Sequence, residues 1–146
     1  MKREIKFRAY SSHNHKIYSV SNIEWDIDGR IWVTADDGKN GIELIDEEAH
    51  LMQYTGLHDK NGRKIYEGDI VRVQETMDNG RIVCLEAVST VVWNGQLGCW
   101  CCHGEFDGNL ADYAAGTMLN AMGNICEVIG NIFEDKQLME GKYEQK

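Results

Sequence analysis

Cys99-Trp100-Cys101-Cys102-His103 is the densest run of reactive side chains in this 146-residue chain. Cys99 and Cys102 have C-x-x-C spacing, and His103 follows at once. A structural zinc site needs four ligands in a tetrahedron. The missing ones would have to come from Cys84, Cys126, His50 or His58, and no second knuckle is present. A redox pair needs C-x-x-C at the opening of a helix, where the dipole lowers a thiol pKa. The Trp- and Cys-rich surroundings read as strand instead. A Cys-His nucleophile needs a third group to orient the base, and spacing identifies none. The favoured reading is a β segment in which Cys99, Cys101 and His103 alternate with Trp100 and Cys102, with Cys as a small apolar filler. Cys99, Cys102 and His103 therefore stand as weak metal candidates. No catalytic residue is assigned, and no cofactor is expected.

Other chemistry-bearing patterns are thinner still. Asp26-Ile27-Asp28-Gly29 and Asp59-Lys60-Asn61-Gly62 resemble calcium loops only at the surface. Neither carries the further ligands and the closing Glu of an EF-hand, so both read as turns. There is no P-loop, Rossmann fingerprint, H-E-x-x-H or G-x-S-x-G. The absence of these motifs tilts the reading away from an enzyme.

The elements that would position such residues follow from composition and period. The chain is 42% apolar, which fits one globular domain over 1–146 with a charged tail at 134–146. Proline is absent and glycine occurs fifteen times, as suits many short strands joined by Gly-containing turns. No apolar stretch reaches membrane-spanning length. The basic N-terminal residues have no apolar segment after them. A cytoplasmic protein with reduced cysteines, five of them and so not all pairable, is the expectation.

The net charge of −9 is unevenly spread. Residues 1–18 carry Lys2, Arg3, Lys6, Arg8 and Lys16 against Glu4, a balance of +4. Residues 24–48 carry nine acids against Arg30 and Lys39, a balance of −7. An acidic surface repels duplex DNA, whose binding rests on phosphate neutralisation. The basic opening reads first as a solvated strand face, and second as a patch that meets an acidic surface on another copy or another protein.

Alternation in Ile5, Phe7 and Ala9 against Lys6, Arg8 and Tyr10 predicts a strand, with Lys16 to Val20 returning after a polar turn. Asp28-Gly29 is a two-residue hairpin signal. That turn predicts Trp25 opposite Trp32 as a core-facing pair. Ile42, Leu44 and Ile45 make a short strand, and Asp46 to His50 one helical turn. Leu51 to Thr55, Ile65-Tyr66 and Ile70 to Val73 are further β runs, with Asn61-Gly62 as a two-residue loop between the first two. Asp78-Asn79-Gly80 turns the chain into Ile82 to Trp93, with Ser89 as a corner or bulge. Leu110 to Leu119 has helical spacing. Residues 125–133 form a closing strand, after which a helical turn or two opens the tail.

The run Leu51-Met52-Gln53-Tyr54-Thr55-Gly56-Leu57-His58-Asp59-Lys60-Asn61-Gly62-Arg63-Lys64-Ile65-Tyr66-Glu67-Gly68-Asp69-Ile70-Val71 resembles the signature of the YopX family of phages and prophages. The opening Arg3 to Tyr10 resembles the start of those proteins, and Glu127 to Glu134 their ending. Tyr10 stands where the family usually has Trp, and Asp135-Lys136 where Asn-Pro usually follows. The resemblance implies a mainly β fold, a mixed sandwich or partly closed barrel of short antiparallel strands with one or two short helices. It implies no accepted biochemical activity and so no catalytic residues.

The reading that follows is a non-catalytic phage accessory protein acting through protein contacts, with itself or another protein as partner and no membrane. Lys6, Arg8, Tyr54, Asp59, Asn61, Arg63 and Tyr66 are the interaction candidates. One alternative is a small barrel that binds single-stranded nucleic acid through Lys6 and Arg8 with Phe7, Tyr10, Tyr18, Trp25 and Trp32 as a stacking platform. The overall charge makes nucleic acid the less favoured partner. The other alternative is a Cys-dependent metal or redox protein.

Overall fold

A computed structural model describes residues 3–76, 84–106, 109–115 and 126–139. The chain divides into two compact units, residues 1–54 and 55–146. The expected mainly β fold of short antiparallel strands holds, in two open sheets.

The first unit is a meander. Strands β1 (Phe7–Ser11), β2 (Lys16–Trp25), β3 (Ile31–Asp36) and β4 (Gly41–Ile45) follow one another across the sheet. A 3-10 turn at Asp46–Glu48 then leads into β5 (Ala49–His58), which returns to pair with β1. Ala9 lies between Tyr18 and Leu51, and Val33 lies opposite Leu44. This one face gathers Ala9, Tyr18, Val33, Ala35 and Leu44 into a core. Within this unit the sheet order is β4-β3-β2-β1-β5, and β6 (Lys64–Tyr66) belongs to the second unit.

The second unit carries β7 (Asp69–Thr76), β8 (Cys84–Asn94), β9 (Cys99–Phe106), β10 (Asn109–Ala114) and β11 (Cys126–Asn131), in the sheet order β10-β9-β8-β7-β11. Its core is Ile65, Val71, Val91, Cys102, Ala115, Cys126 and Val128. Residues 137–139 make a single helical turn after β11.

Four local expectations are corrected. Asp28-Gly29 does not make a two-residue turn. Asp26 N–H donates to Arg30 O and Gly29 N–H to Asp26 O, closing a three-residue loop with Gly29 at φ +84°. The extra residue slips the register by one, so Trp25 faces Ile31 and Glu24 faces Trp32. The Trp25–Trp32 pair is therefore not formed, and Trp25 is 68% exposed. Asn61-Gly62 behaves alike: Asp59 N–H donates to Arg63 O, and Gly62 takes φ +84° at the end of a three-residue loop.

Ser89 is no bulge. It sits buried in unbroken register between Val71 and Gly104. It fits because Gly104 has no Cβ, which would lie 2.9 Å from Val88 O and 3.0 Å from Ser89 Cβ. The bulges fall instead between Val20 and Asn22 and between Val128 and Gly130. Finally, Leu110 to Ala114 belongs to β10, paired with β9, so tertiary pairing overrides the helical spacing there. Residues 116–119 of that expected helix, and the expected turn at Asp78-Asn79-Gly80, lie outside the described residues.

Candidate functional site

The β2–β3 loop presents the most exposed large apolar groups of the first unit. Asp26 organises it. One carboxylate oxygen accepts the backbone N–H groups of Asp28 and Arg30, each at 2.9 Å. The other accepts Trp32 Nε1–H at 3.0 Å. Arg30 Nε lies 3.5 Å from the same oxygen. The Trp32 indole and these backbone donors hold the Asp26 carboxyl below its ordinary value. A loop whose donors are so occupied keeps one shape. On it, Ile27 is 99% exposed and Trp25 stands beside it. Glu24, Trp25, Asp26 and Trp32 line one concave patch.

The interaction candidates scatter. Lys6 is exposed and borders a groove with Ile5, Phe7 and Val20 to Ile23. Arg8 is half-buried on β1, level with Ser19 and Met52. Tyr54 is buried, and its N–H donates to Lys6 O. Asp59 is 2% exposed and acts as an internal acceptor. Its oxygens take the N–H groups of Asn61, Arg63 and Val128 at 2.9, 2.9 and 3.0 Å. Burial alone would raise the Asp59 carboxyl, but the donors of Val128, Arg63 and Asn61 outweigh it and hold the carboxyl below its ordinary value. Asn61 and Arg63 are exposed on the loop, and Arg63 reaches Val128 O at 3.3 Å. Tyr66 is half-buried, with its N–H on Asp69 Oδ2 at 2.8 Å.

The thiol-bearing strand is β9, as the alternation predicts. Cys99, Cys101 and His103 share one face, and Trp100 and Cys102 the other. The C-x-x-C pair is thereby split, with Cys102 in the core beside Cys126. His103 meets Asp112 of β10 directly across the strands, Nδ1 to Oδ1 at 2.5 Å. Asn94 Nδ2 donates to the other Asp112 oxygen at 3.0 Å. Asn94 and Asp112 are two strands apart and four residues out of step, roughly 16 Å on a flat sheet. Their contact shows that the sheet coils toward this face. The His103 hydrogen bond, helped by Asn94, keeps the Asp112 carboxyl below its ordinary value. Burial pushes the thiols of Cys101, Cys102 and Cys126 up to about 11, 12 and 11. Among the described residues no three His, Cys, Asp or Glu side chains are placed to hold a metal ion together.

Sequence reasoning missed the cross-strand aromatic pair that does form. Trp93 and Trp100 are register partners, with centroids 5.1 Å apart and planes at 74°. Asn94 and Gly98, four apart, were the available signal. Gly98 N–H donates to Asn94 O, and Asn94 Oδ1 accepts from Gln96 and Leu97. Asp112 was also missed, because its place opposite His103 depends on the length of the β9–β10 turn.

These features define a class: a mainly β protein of two open antiparallel sheets with tight Asp- and Asn-organised loops. Residues 6–140, nearly the whole chain, match the family model described as YopX protein, and the chain belongs to the YopX family. A search of curated proteins finds no match. Among solved structures, the chain is similar to the crystal structure of protein EF1440 from Enterococcus faecalis, with a TM-score of 0.56 and 20% identity. That likeness covers 94% of this chain and 99% of the other, and it is a likeness of fold. No helix among the described residues is long and apolar enough to cross a membrane.

Proposed function

We propose that this is a phage- or prophage-encoded accessory protein of the host cytoplasm that works through protein contacts rather than catalysis. A second copy of the chain is the first partner to test. The observation that carries this reading is the β2–β3 loop, which holds Ile27 and Trp25 out in solvent on a backbone tied down by Asp26. Exposed tryptophan on a pre-ordered loop has the character of an interface anchor, since little freedom is lost on binding. Glu24 beside the two indoles suits a partner with basic side chains, which can stack on an indole face. The +4 opening segment of another copy has that character. The protonated thiols of Cys101, Cys102 and Cys126 make poor nucleophiles, which supports a non-catalytic role.

The single-strand-binding alternative draws less support. On β1, Phe7 and Tyr10 point to opposite faces, and Tyr18 is buried, so these three share no platform with one another.

Size exclusion with light scattering tests the main reading, at two protein and two salt concentrations. The expected result is a species larger than the 16.6 kDa chain that shrinks in high salt. Trp25→Ala with Ile27→Asp should return it to monomer. A salt-independent monomer at micromolar concentration overturns self-association, and pull-down from infected cells with the same variant then tests a heterologous partner.

A further inference from the structure

Cys99 and Cys101 lie two apart on β9 and project from the same face, with their sulfurs 3.9 Å apart. Cys101 is fully buried and Cys99 is half-buried, so the pair opens toward solvent on one side only. We propose that Cys99 and Cys101 form a two-thiol site for a soft monovalent cation, with Cu(I) as its biological occupant.

The argument rests on separation and ligand count. Sulfurs about 2.3 Å from a shared metal lie roughly 3.8 Å apart at a tetrahedral angle and about 4.6 Å apart when linear. At 3.9 Å the pair is short of the linear span that two ligands take, and rotation of the half-buried Cys99 side chain supplies the difference. Zinc is poorly served, because it takes four ligands and, among the described residues, this face supplies two thiols. Cys102 belongs to the opposite face, and among the described residues no third His, Cys, Asp or Glu side chain is placed to share an ion with the pair. Thiolate ligands select Cu(I), which is satisfied by two of them. A disulfide is the poorer alternative. Residues two apart on a strand have Cα atoms about 6.7 Å apart, at the edge of disulfide geometry, and the sulfurs would have to close to about 2.05 Å.

Binding balances simply. Each thiol gives up its proton to solvent, and one Cu(I) with two thiolates leaves a site of charge −1. A soft cation displaces both protons as it binds.

The test uses the full chain, reduced and oxygen-free, titrated with Cu(I) supplied as its acetonitrile complex against a chromophoric Cu(I) chelator. One retained equivalent is expected. Loss of a mere supporting group costs metal sites 10–100-fold, so Cys99→Ser and Cys101→Ser should each weaken retention by at least about 100-fold. Cys102→Ser and Cys126→Ser should retain the ion. X-ray absorption on the loaded wild-type protein, which needs no variant to fold, should show two sulfur neighbours. No retained equivalent, retention unchanged by either of the first two substitutions, or a shell containing nitrogen or three or more sulfurs would overturn the proposal.

Discussion

Two loops in this chain share a sequence pattern and a backbone, and differ in what their aspartate does with its second oxygen. Asp26-Ile27-Asp28-Gly29-Arg30 and Asp59-Lys60-Asn61-Gly62-Arg63 both read D-x-D/N-G-R. In each, the leading Asp N–H donates to the Arg carbonyl, and the Gly N–H returns to the Asp carbonyl. One carboxylate oxygen caps the same two N–H groups, and Gly has φ +84° in both. The remaining oxygen separates them. On Asp26 it takes the Trp32 indole nearby, at a surface. On Asp59 it takes Val128 N–H from the last strand, inside the protein. Lys60 N–H adds a bond to Cys126 O and Arg63 one to Val128 O, so the second loop is pinned to β11 three times. A local pattern can thus specify the turn, while its surroundings decide whether it presents a surface or fastens one.

The contrast is open to attack at several points. Asp59→Ala should be the most damaging change, because it orphans a buried N–H and removes three bonds to a charged acceptor. A loss of about 3 to 4 kcal/mol in urea unfolding is expected, whereas Asp26→Ala should move the midpoint far less. Equal losses would break the comparison.

The acid limb should follow the same carboxylate. Its folded pKa lies below the unfolded one, so its stabilisation is full above the unfolded value near pH 4 and fades as pH falls through the folded value. Asp59→Asn should be less stable at pH 7 and flatter between pH 5 and 3 than wild type, as followed by urea midpoints. Gly29→Ala and Gly62→Ala should match each other, at about 1 kcal/mol each, since both force a left-handed alanine and neither site has an atom within 4 Å of the added carbon. A large difference between them would show that the backbones are not equivalent. The smallest effect expected is from Trp32→Phe, which removes the indole donor to Asp26 and should leave the urea midpoint nearly unchanged while altering tryptophan fluorescence.

The strands were largely legible, because apolar alternation and Gly-containing turns survive at short range. The register was not. A D-G or N-G pair signals a hairpin, but the Asp two or three residues earlier adds one residue to the loop by capturing two N–H groups. That single residue sends Trp25 to solvent. The D-x-D/N-G-R repeat was visible in the sequence and, read as a repeat, would have marked both loops as the same object. Leu110 to Ala114 misled because spacing that fits a helix fits a strand edge equally well over so few residues. At the thiol strand, alternation correctly put Cys99, Cys101 and His103 together. Asp112 stayed hidden, since nothing local fixes the length of the turn that brings β10 back.

The second loop also sets a schedule. Asp26 meets its last partner, Trp32, six residues later, but Asp59 must wait for Val128, sixty-nine residues downstream. At roughly 5 to 20 residues per second on the ribosome, the first loop can be complete within about a second, and the second stays open for several. During that interval a carboxylate destined for the interior is bathed in water, and the partner strand it will fasten does not yet exist. The first unit therefore has time to form while the second is still being made.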